Sequence, residues 1–399
     1  MSWPIRMTLV TAPLVLAVAL YAALRLAGAA ALLRRTPPAR ARWVALGMLL
    51  ALNLWPLALV SAHLLGWPGR PWLEGAHPQL IDHLLVYPFW WGFVLALELA
   101  PWLLALELAS LGTWLAHAEA WRRRLAWIRL ALAAGLALLV GGRMAWDTQR
   151  IQLVDETVAV RELPADLDGM NLLLLGDLQV DRYTQGSKLE RFLAAIGAAR
   201  ADLVLYAGDL VTDGTDFLRP ALAAMCRVRA PAGRVAVMGD HDFWADPEAV
   251  RQGLRGCGWT FLENEHRLFA WRGRRILVTG IRYIYSDRVP TGRLRSLLAA
   301  APAADLKILL VHQPATGVIA AADAHGYQLV VAGHTHGGQI VFHLFAWPIT
   351  PTQLENDFYS GNHAYGRLRV VVTNGVGLTL APVRYGAPAE ITRIRLCHP

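Results

Sequence analysis

Charged side chains are scarce in this sequence, and the scarcity limits what the protein can be. Only 17% of the 399 residues are Asp, Glu, Lys or Arg, whereas 55% are hydrophobic. A disordered chain has the opposite balance, and an ordinary soluble enzyme carries more charge. The length is sufficient for two or three domains. The composition therefore predicts a membrane portion joined to at least one folded domain.

Acidic residues are especially few in the first 150 residues, where 13 Lys and Arg stand against 6 Asp and Glu. In residues 151–399 the two signs balance, with 25 basic and 24 acidic residues. The net charge of +8 therefore comes from the apolar N-terminal part, as basic residues that flank membrane helices would produce. Proteins that bind nucleic acid concentrate basic residues on a soluble face instead. We expect no nucleic-acid partner.

Cysteine is rare as well. The three cysteines, Cys226, Cys257 and Cys397, are far apart in the sequence and form no CxxC motif. Their spacing predicts neither a disulfide framework nor a zinc knuckle, and it leaves the redox compartment open.

Long apolar runs fill residues 1–146 and predict a transmembrane anchor of about four helices. A helix of about 20 apolar residues crosses the hydrocarbon core of a bilayer. The runs that meet this requirement are residues 7–33, 43–65, 84–116 and 125–142. The third is long enough for one kinked or tilted helix. Its carboxylates, Glu98 and Glu107, either mark an ion path or lie near an interface and pair with Arg25 or Arg129.

The positions of the arginines predict the orientation of this anchor. Four arginines, at positions 34, 35, 40 and 42, lie between the first two apolar runs, and three more, at positions 122 to 124, lie between the last two. Loops rich in Lys and Arg face the cytoplasm. Everything after Arg143 is then expected to lie outside the cytoplasm.

The sequence changes character near residue 155, where short apolar runs begin to alternate with amphipathic stretches. This alternation predicts an α/β domain over residues 155–397. The predicted buried strands lie at 172–175, 203–206, 235–238, 276–279, 308–311, 328–332 and 369–373. The predicted helices between them lie at 187–199, 216–227, 247–256, 291–301 and 314–323.

Polar clusters follow nearly every predicted strand, which is where ligand sites form in α/β sheets. The clusters are GDLQ at 176–179, GDLVTD at 208–213, GDHD at 239–242, HQP at 312–314 and GHTHGGQ at 333–339. One such motif alone says little, because Asp often caps a helix. Five in order bring together carboxylates and imidazoles in the number that suits a pair of divalent first-row metal ions.

This ordered set resembles the calcineurin-like metallophosphoesterases, whose signature is DxH, GDxxD, GNHD, HxP and GHxH. The resemblance covers about residues 155–397 and implies a four-layer αββα sandwich. The residues that it implies for the first metal ion are Asp177, Gln179, Asp209 and His336. Those for the second are Asp209, which bridges the two ions, with Asp240, His312 and His334.

The sequence after GHTHGGQ is similar to one branch of that family. The motifs that carry this similarity are YSG at 359–361, NGVG at 374–377, PVR at 382–384 and PAE at 388–390. The branch is membrane-anchored and bacterial, and contains YkuE-like and YaeI-like phosphoesterases and a UDP-2,3-diacylglucosamine hydrolase. The resemblance implies a multi-pass protein of the bacterial inner (plasma) membrane.

Two residues depart from the family signature. Gln179 stands where the family usually has His, and an amide oxygen favours a harder metal ion than a ring nitrogen does. We therefore expect Mn²⁺, with Zn²⁺ or iron as alternatives. Asp240 replaces the usual Asn and adds a negative charge beside the second metal ion. That charge is expected to tighten metal binding and to weaken phosphate binding or slow turnover.

The resemblance also implies a mechanism, in which a metal-bridging hydroxide attacks phosphorus in line. His241 holds no metal in this scheme, so we expect it to stabilise the transition state and to protonate the leaving oxygen. Asp213 is expected to orient His241. Asp242 is expected either to support the metal ligands without binding a metal ion itself, or simply to begin the next turn.

The sequence therefore predicts a binuclear-metal phosphoric ester or diphosphate hydrolase. We expect it to cleave a phosphodiester or pyrophosphate bond in a membrane-associated or cell-envelope substrate, a lipid-linked one included. UDP-diacylglucosamine conflicts with the orientation, because that substrate is expected on the cytoplasmic leaflet. The alternatives are an extracytoplasmic phosphomonoesterase or nucleotide hydrolase, and a degenerate, non-catalytic membrane scaffold. The oligomeric state stays open.

One apolar segment beside the inferred site bears on the substrate. Residues 340–349 are aromatic and apolar, and follow GHTHGGQ directly. They are expected either to enter lipid or hold an acyl chain, or to pack as a strand and turn against the sheet.

Overall fold

The computed structural model describes residues 3–66, 80–115 and 119–398 of the chain. The chain divides into two compact units. The first comprises Met1–Trp146, Ile340–Ile349 and Leu380–Gly386, and the second comprises Asp147–Gln339, Thr350–Thr379 and Ala387–Pro399. The α/β unit thus begins at residue 147 and is interrupted twice, whereas the sequence pattern predicted one continuous domain over 155–397.

Apolar helices make up most of the first unit. They are α1 (Trp3–Arg34), α2 (Pro38–Leu52), α3 (Leu54–Leu64), α4 (Tyr87–Leu115) and α5 (Glu119–Gln149), and a π-helical turn, Asp82–Val86, precedes α4. By length and composition, three stretches can cross a membrane, namely Pro13–Arg34, Asp82–Gly112 and Glu119–Gln149. The pair of α2 and α3 also qualifies but is bent by 52°, so the described residues hold three or up to four candidate spans. The predicted end of the third span, residue 116, lies outside the described residues.

The two carboxylates of α4 both have partners within the first unit. The Oε1 atom of Glu107 lies 3.1 Å from the guanidinium of Arg129 and 3.6 Å from that of Arg25. Glu98 is buried and accepts a hydrogen bond of 3.0 Å from the backbone N–H of His343, whose ring Nδ1 lies 3.4 Å away. The sequence had suggested the arginines as partners of these carboxylates and did not indicate His343.

Strands and shorter helices follow the last long helix. The strands are β1 (Ile151–Ala159), β2 (Asn171–Leu175), β3 (Leu203–Tyr206), β4 (Gly233–Ala236), β5 (Thr260–Phe261), β6 (Glu265–Trp271), β7 (Arg274–Ile281), β8 (Tyr283–Ile284), β9 (Asp287–Arg288), β10 (Leu306–Val311), β11 (Leu329–Ala332), β12 (Phe342–Leu344), β13 (Trp347–Ile349), β14 (Gly361–Tyr365), β15 (Leu368–Val372) and β16 (Ala389–Cys397). The helices are α6 (Ser187–Ala199), α7 (Leu218–Met225), α8 (Asp240–Ala245), α9 (Pro247–Gly256), α10 (Thr291–Ala299) and α11 (Thr316–Ala324).

Two six-stranded sheets form the second unit. The first has the order β1-β16-β2-β3-β4-β5, in which only the β16–β2 pair is antiparallel. The second has the order β14-β15-β11-β10-β7-β6, with parallel central strands and an antiparallel strand at each edge. Parallel strands that are covered on both faces require continuous apolar runs, and β2 and β3 consist of NLLLL and LVLY.

The packing of these sheets produces four layers. Side chains of both sheets, among them Leu205 and Ile308, form one core between them. The outer face of the first sheet packs with α6, α7 and α9, and that of the second with α10 and α11. The predicted αββα sandwich is therefore confirmed.

The apolar segment 340–349 forms a hairpin of β12 and β13, which belongs to the first unit. Its His343 contacts Glu98, and the ring of Phe345 meets that of Trp102 edge to face, with centroids 5.1 Å apart. Glu98 and Trp102 are four residues apart and share one face of α4. The hairpin thus packs on a helix, which corrects the alternative that this segment packs against the sheet.

The structure joins Cys226 to Cys257 in a disulfide, with Cα atoms 4.9 Å apart, and leaves Cys397 free. This corrects the reading that the cysteines supply no disulfide. The two residues follow the last turns of α7 and α9, and these helices pack so closely that a Cβ at Gly253 would lie 2.3 Å from Leu222. Only tertiary packing creates this proximity.

Candidate metal centre

The predicted ligand loops all follow the carboxyl ends of strands in the two sheets. The residues and the strands that they follow are Asp177 and Gln179 after β2, Asp209 after β3, Asp240 after β4, His312 after β10, and His334 and His336 after β11. Because parallel strands end at a common edge, the loops of each sheet lie side by side.

The structure brings five of these side chains into two groups that could each hold a metal ion. One group is Asp240, His312 and His334, and the other is Asp177, Asp209 and His312, with the donor atoms of each group within 4.8 Å of one another. The Nε2 atom of His312 lies 3.4 Å from Asp209 Oδ2 and 3.3 Å from Asp240 Oδ2. His312 therefore stands between the groups, whereas the resemblance implied only Asp209 as the shared residue.

Gln179 and His336 complete the first predicted set. The Nε2 atom of Gln179 donates to Asp209 Oδ2 at 3.2 Å, and His336 Nε2 lies 3.6 Å from Asp177 Oδ1. Among the described residues, the buried Oε1 atom of Gln179 has no hydrogen-bond partner. A buried acceptor without a partner costs free energy, and a cation would satisfy it. The donor atoms present therefore fit a pair of divalent ions.

The backbone at these loops is strained. Positive φ angles, which are unfavourable for residues other than glycine, occur at Asp177 (48°), Gln179 (40°), Asp209 (63°), His334 (73°) and His336 (51°). Such angles persist only where the surrounding structure enforces them, and they are concentrated at functional sites. Five of the seven predicted ligands therefore have a strained backbone, although positive φ angles also occur at other described residues.

Comparison with known proteins agrees with this geometry. A family profile described as calcineurin-like phosphoesterase matches residues 170–338, which contain every predicted ligand. The chain contains a calcineurin-like phosphoesterase domain.

Relatives of this chain include a protein that is described as transmembrane. A zebrafish (Danio rerio) transmembrane protein with metallophosphoesterase domain is 30% identical over 282 residues, which cover 67% of this chain and 62% of the relative. The metallophosphoesterase YkuE of Bacillus subtilis is 26% identical, over 66% of this chain and 92% of its own length. A solved 5′-nucleotidase precursor from Thermus thermophilus has 19% identity and a TM-score of 0.36, and the match covers 52% of this chain and 49% of that one.

Glycines beside the ligands of the phosphoesterase domain allow the loops to approach one another. A Cβ at Gly239 would lie 2.1 Å from Asp209 Oδ1, and a Cβ at Gly333 would lie 2.4 Å from Asp177 Oδ2. A side chain at either position would displace a predicted ligand carboxylate.

Replacement of Gly333 by alanine is therefore expected to weaken Mn²⁺ binding by about tenfold or more, the loss typical of residues that position ligands. Isothermal titration calorimetry measures this affinity. Gly317→Ala is the matched control, because a Cβ at Gly317 of α11 meets nothing within 4 Å. Equal affinities for the native protein and Gly333→Ala would contradict the expectation.

The carboxylates and imidazoles of the ligand cluster shift one another's pKa values. Burial disfavours the charged carboxylates of Asp209 and Asp240, yet His312 and neighbouring imidazoles hold the pKa of both well below its usual range. Burial also disfavours a charged His312, but Asp209 and Asp240 raise its pKa well above the usual value. Without metal, a protonated His312 thus balances the carboxylates, in the position that a cation would take.

Metal binding is therefore expected to compete with protons. A histidine ligand must be neutral, so His312 releases a proton when a metal ion binds. At pH values below the raised pKa of His312, Mn²⁺ affinity is expected to rise about tenfold per pH unit for each proton released. Titrations at pH 6, 7 and 8 test this slope, and an affinity independent of pH would contradict it.

His241 is oriented by a backbone carbonyl. Its ring Nδ1 lies 2.5 Å from the oxygen of Thr212, and its backbone N–H donates to Asp209 Oδ1 at 2.8 Å. The carboxylate of Asp213, which was expected to orient this ring, is exposed. The prediction for Asp213 is therefore corrected. The backbone carbonyl of Thr212, the preceding residue, faces the His241 ring and orients it.

Asp242 holds two ligand loops together. Its fully buried carboxylate accepts hydrogen bonds from the backbone N–H groups of Asp209 (2.8 Å), Leu210 (2.7 Å) and Gly239 (3.1 Å). Burial, with the nearby charge of Asp209, raises the pKa of Asp242 to about 6. Of the two readings that the sequence left open, these contacts favour support of the ligands.

Sequence reasoning overlooked Gln313 and the role of the NGVG motif. The amide of Gln313 donates to Asp240 Oδ2 at 2.8 Å. Cβ atoms at Gly375 and Gly377 would lie 2.6 Å from Asp177 Cβ and 2.4 Å from Gln179 Cβ. The backbone of NGVG therefore packs against the first ligand loop. The two glycines in four residues were the available signal, since a close backbone approach requires them.

Proposed function

We propose that this protein hydrolyses a phosphodiester or pyrophosphate bond of a membrane-associated or cell-envelope substrate, with two divalent metal ions. The observation that supports this most is the pair of groups of carboxylates and imidazoles, in each of which the donor atoms lie within 4.8 Å of one another and nearly all the side chains are buried. Buried charges at this density are stable when a cation neutralises them. The lipid bilayer is a further proposed partner, through the apolar helices.

In this proposal, the ion pair is held as the family pattern implies. One ion would be held by Asp177, Gln179, Asp209 and His336. The other would be held by Asp209, Asp240, His312 and His334. The amide oxygen of Gln179, which has no hydrogen-bond partner within the described part of the chain, and the three carboxylates favour a hard ion. We propose Mn²⁺ before Zn²⁺ or iron.

His241 supplies the proton for the leaving group. When bound, the metal ions supply a hydroxide nucleophile and neutralise the phosphoryl oxygens. A carbonyl oxygen only accepts hydrogen bonds, so the contact with Thr212 requires that Nδ1 of His241 carries a hydrogen. Nε2 is then the ring nitrogen left for the leaving group, and it donates a proton to the leaving oxygen from the imidazolium form, in which both ring nitrogens carry a hydrogen.

Hydrolysis of model substrates tests this proposal. The detergent-purified full chain would be offered bis-p-nitrophenyl phosphate, p-nitrophenyl phosphate and a nucleoside diphosphate, with Mn²⁺, Zn²⁺, Mg²⁺ or a chelator. We expect turnover of the diester or the diphosphate with Mn²⁺ and none with the chelator. A preference for the monoester would favour a phosphomonoesterase. No turnover together with fewer than two metal ions per folded chain would favour a non-catalytic scaffold.

We further propose that the phosphoesterase domain lies outside the cytoplasm of a bacterial cell, anchored in the inner membrane. With four spans, the arginine-rich stretches at 34–42 and 122–124 both lie in the cytoplasm, whereas three spans would put them on opposite sides. The bent pair of α2 and α3 then counts as one span. The disulfide of Cys226 and Cys257 supports the same side, because disulfides persist in oxidising compartments.

Reporter fusions and thiol labelling test the orientation independently. We expect an alkaline phosphatase fused after residue 399 to be active in cells and a green fluorescent protein at the same place to be dark. A maleimide added to the denatured protein is expected to label one thiol, Cys397, before reduction and three after it. A fluorescent fusion together with three free thiols would place the domain in the cytoplasm.

A further inference from the structure

Two exposed aromatic side chains lie beside the candidate metal centre and have no role in the metal chemistry. Trp244 belongs to α8, three residues after His241, and Tyr285 lies in the turn between β8 and β9. They are 48% and 45% exposed. Their rings are parallel within 4°, with centroids 6.5 Å apart. A flat ring that stacks on one of these side chains would therefore lie parallel to the other as well.

Each ring borders a residue of the proposed reaction centre. The ring of Trp244 lies 5.0 Å from that of His241, the proposed proton donor. The ring of Tyr285 lies 5.2 Å from that of His334, a proposed metal ligand. A phosphate held between the metal ions and His241 would therefore have the aromatic pair directly beside it. The Trp244 and Tyr285 rings would then contact the group that is esterified to this phosphate.

Hydrogen bonds hold both aromatic residues in place. The indole N–H of Trp244 donates to Ser286 Oγ at 2.8 Å. The backbone N–H of Tyr285 donates to Asp240 Oδ1 at 2.6 Å, and its hydroxyl group donates to Glu355. Large aromatic surface that is fixed yet exposed beside a reactive centre is a feature of binding sites, since little side-chain entropy remains to be lost on binding.

The surroundings of the pair favour a polar, anionic ligand with a flat ring over an acyl chain. The guanidinium of Arg288 lies 5.9 Å from the Tyr285 ring centroid and 5.1 Å from that of Tyr283. An acyl chain would require an apolar trough, whereas Ser286, Glu355 and Arg288 flank these rings. Parallel aromatic faces match a π system, on which nucleobases stack readily.

We propose that Trp244 and Tyr285 form a stacking site for a nucleobase, and that the substrate is a phosphoester or diphosphate that carries a nucleoside. This inference rests on the proposed function and adds the substrate class to it. A nucleoside places its base one ribose away from the scissile phosphate. The site would accept any base, because stacking depends on the π face and not on a hydrogen-bond pattern.

Competitive inhibition tests the stacking site. The inhibition constants of adenosine 5′-monophosphate and ribose 5-phosphate would be measured against hydrolysis of bis-p-nitrophenyl phosphate, because the two inhibitors differ only in the base. The native chain is expected to bind the nucleotide about tenfold more tightly, a ratio within the range for stacking of one base. Trp244→Ala is expected to reduce this ratio to about twofold or less, and Trp244→Phe to restore most of it. The ratio is unaffected by the fraction of protein that folds.

The control variant is Trp347→Ala, which removes another exposed tryptophan, in the hairpin of β12 and β13. It is expected to keep the native ratio. Equal constants for the two inhibitors in the native chain, or a ratio that both Trp244→Ala and Tyr285→Ala leave unchanged, would overturn the stacking site. If the native chain hydrolyses nothing, the proposed function has failed. The stacking site is then tested separately, by comparing the calorimetric affinities of the Mn²⁺-loaded protein for the same two ligands.

Discussion

Asp209→Asn is expected to remove detectable phosphoesterase activity and to lower the metal content from two ions per chain to one or none. The Oδ2 atom of Asp209 lies 3.4 Å from His312 Nε2, and Gln179 Nε2 donates to the same atom at 3.2 Å. In the proposed site, this carboxylate would contribute to holding both ions, and a neutral amide cannot replace its charge. Loss of a residue that merely supports a ligand reduces activity or metal affinity by about 10- to 100-fold. We therefore expect kcat to fall by at least about a hundredfold.

The measurement combines turnover of bis-p-nitrophenyl phosphate at saturating Mn²⁺ with elemental analysis of the purified variant. Asp216→Asn is the matched control, since Asp216 is an exposed aspartate seven residues further along the chain. It is expected to retain native activity and two ions. Native turnover and two bound ions in Asp209→Asn would exclude Asp209 as the bridging ligand.

His241→Ala is expected to lower kcat by about 10²- to 10⁴-fold, the range for removal of a general acid, while both metal ions remain bound. The backbone N–H of residue 241 donates to Asp209 Oδ1, and alanine keeps that contact. The loss is expected to be larger for substrates with an alkoxide leaving group than for p-nitrophenyl esters, since a p-nitrophenolate leaves without being protonated.

Comparison of the two leaving groups separates proton donation from a structural role. A structural defect would lower turnover of both substrates by the same factor, and such a result would argue against His241 as the acid. His398→Ala provides the control for loss of a histidine, because His398 is exposed at the far end of β16. Elemental analysis of each variant shows whether the metal ions are retained.

The sequence predicted best those strands and helices whose type and bounds follow from one local pattern of apolar residues. The run LVLY at 203–206 is apolar on both faces and forms β3 with the predicted bounds. The helices at 187–199 and 247–256 also begin and end where the pattern indicates. The antiparallel edge strand β14, GNHAY, was not foreseen, because its half-exposed residues lack a buried run.

In the candidate site, too, residues that belong to a local motif were predicted, whereas contacts that depend on the fold were not. The polar clusters after the strands revealed Asp177, Asp209 and His312, since carboxylates and imidazoles at strand ends are visible in a single sequence. Gln313 is the variable position of the HQP motif, and Trp244 and Tyr285 belong to no motif. The positions of all three beside the site depend on how a turn or short helix folds back. The orientation of His241 by Thr212 rather than Asp213 depends on the path of the backbone, which no residue type reveals.

The apolar helices, the alternation of strands and helices, and the order of the ligand loops are visible in the amino-acid sequence, because each of these is a property of neighbouring residues. Which distant segments meet is visible in the folded structure alone. The fold joined Cys226 to Cys257, placed the hairpin at 340–349 on α4, and brought the NGVG glycines against the first ligand loop. The physical reason is that these contacts link residues tens to hundreds of positions apart. Their free energy comes from close packing in three dimensions, which periodicity along the chain does not record.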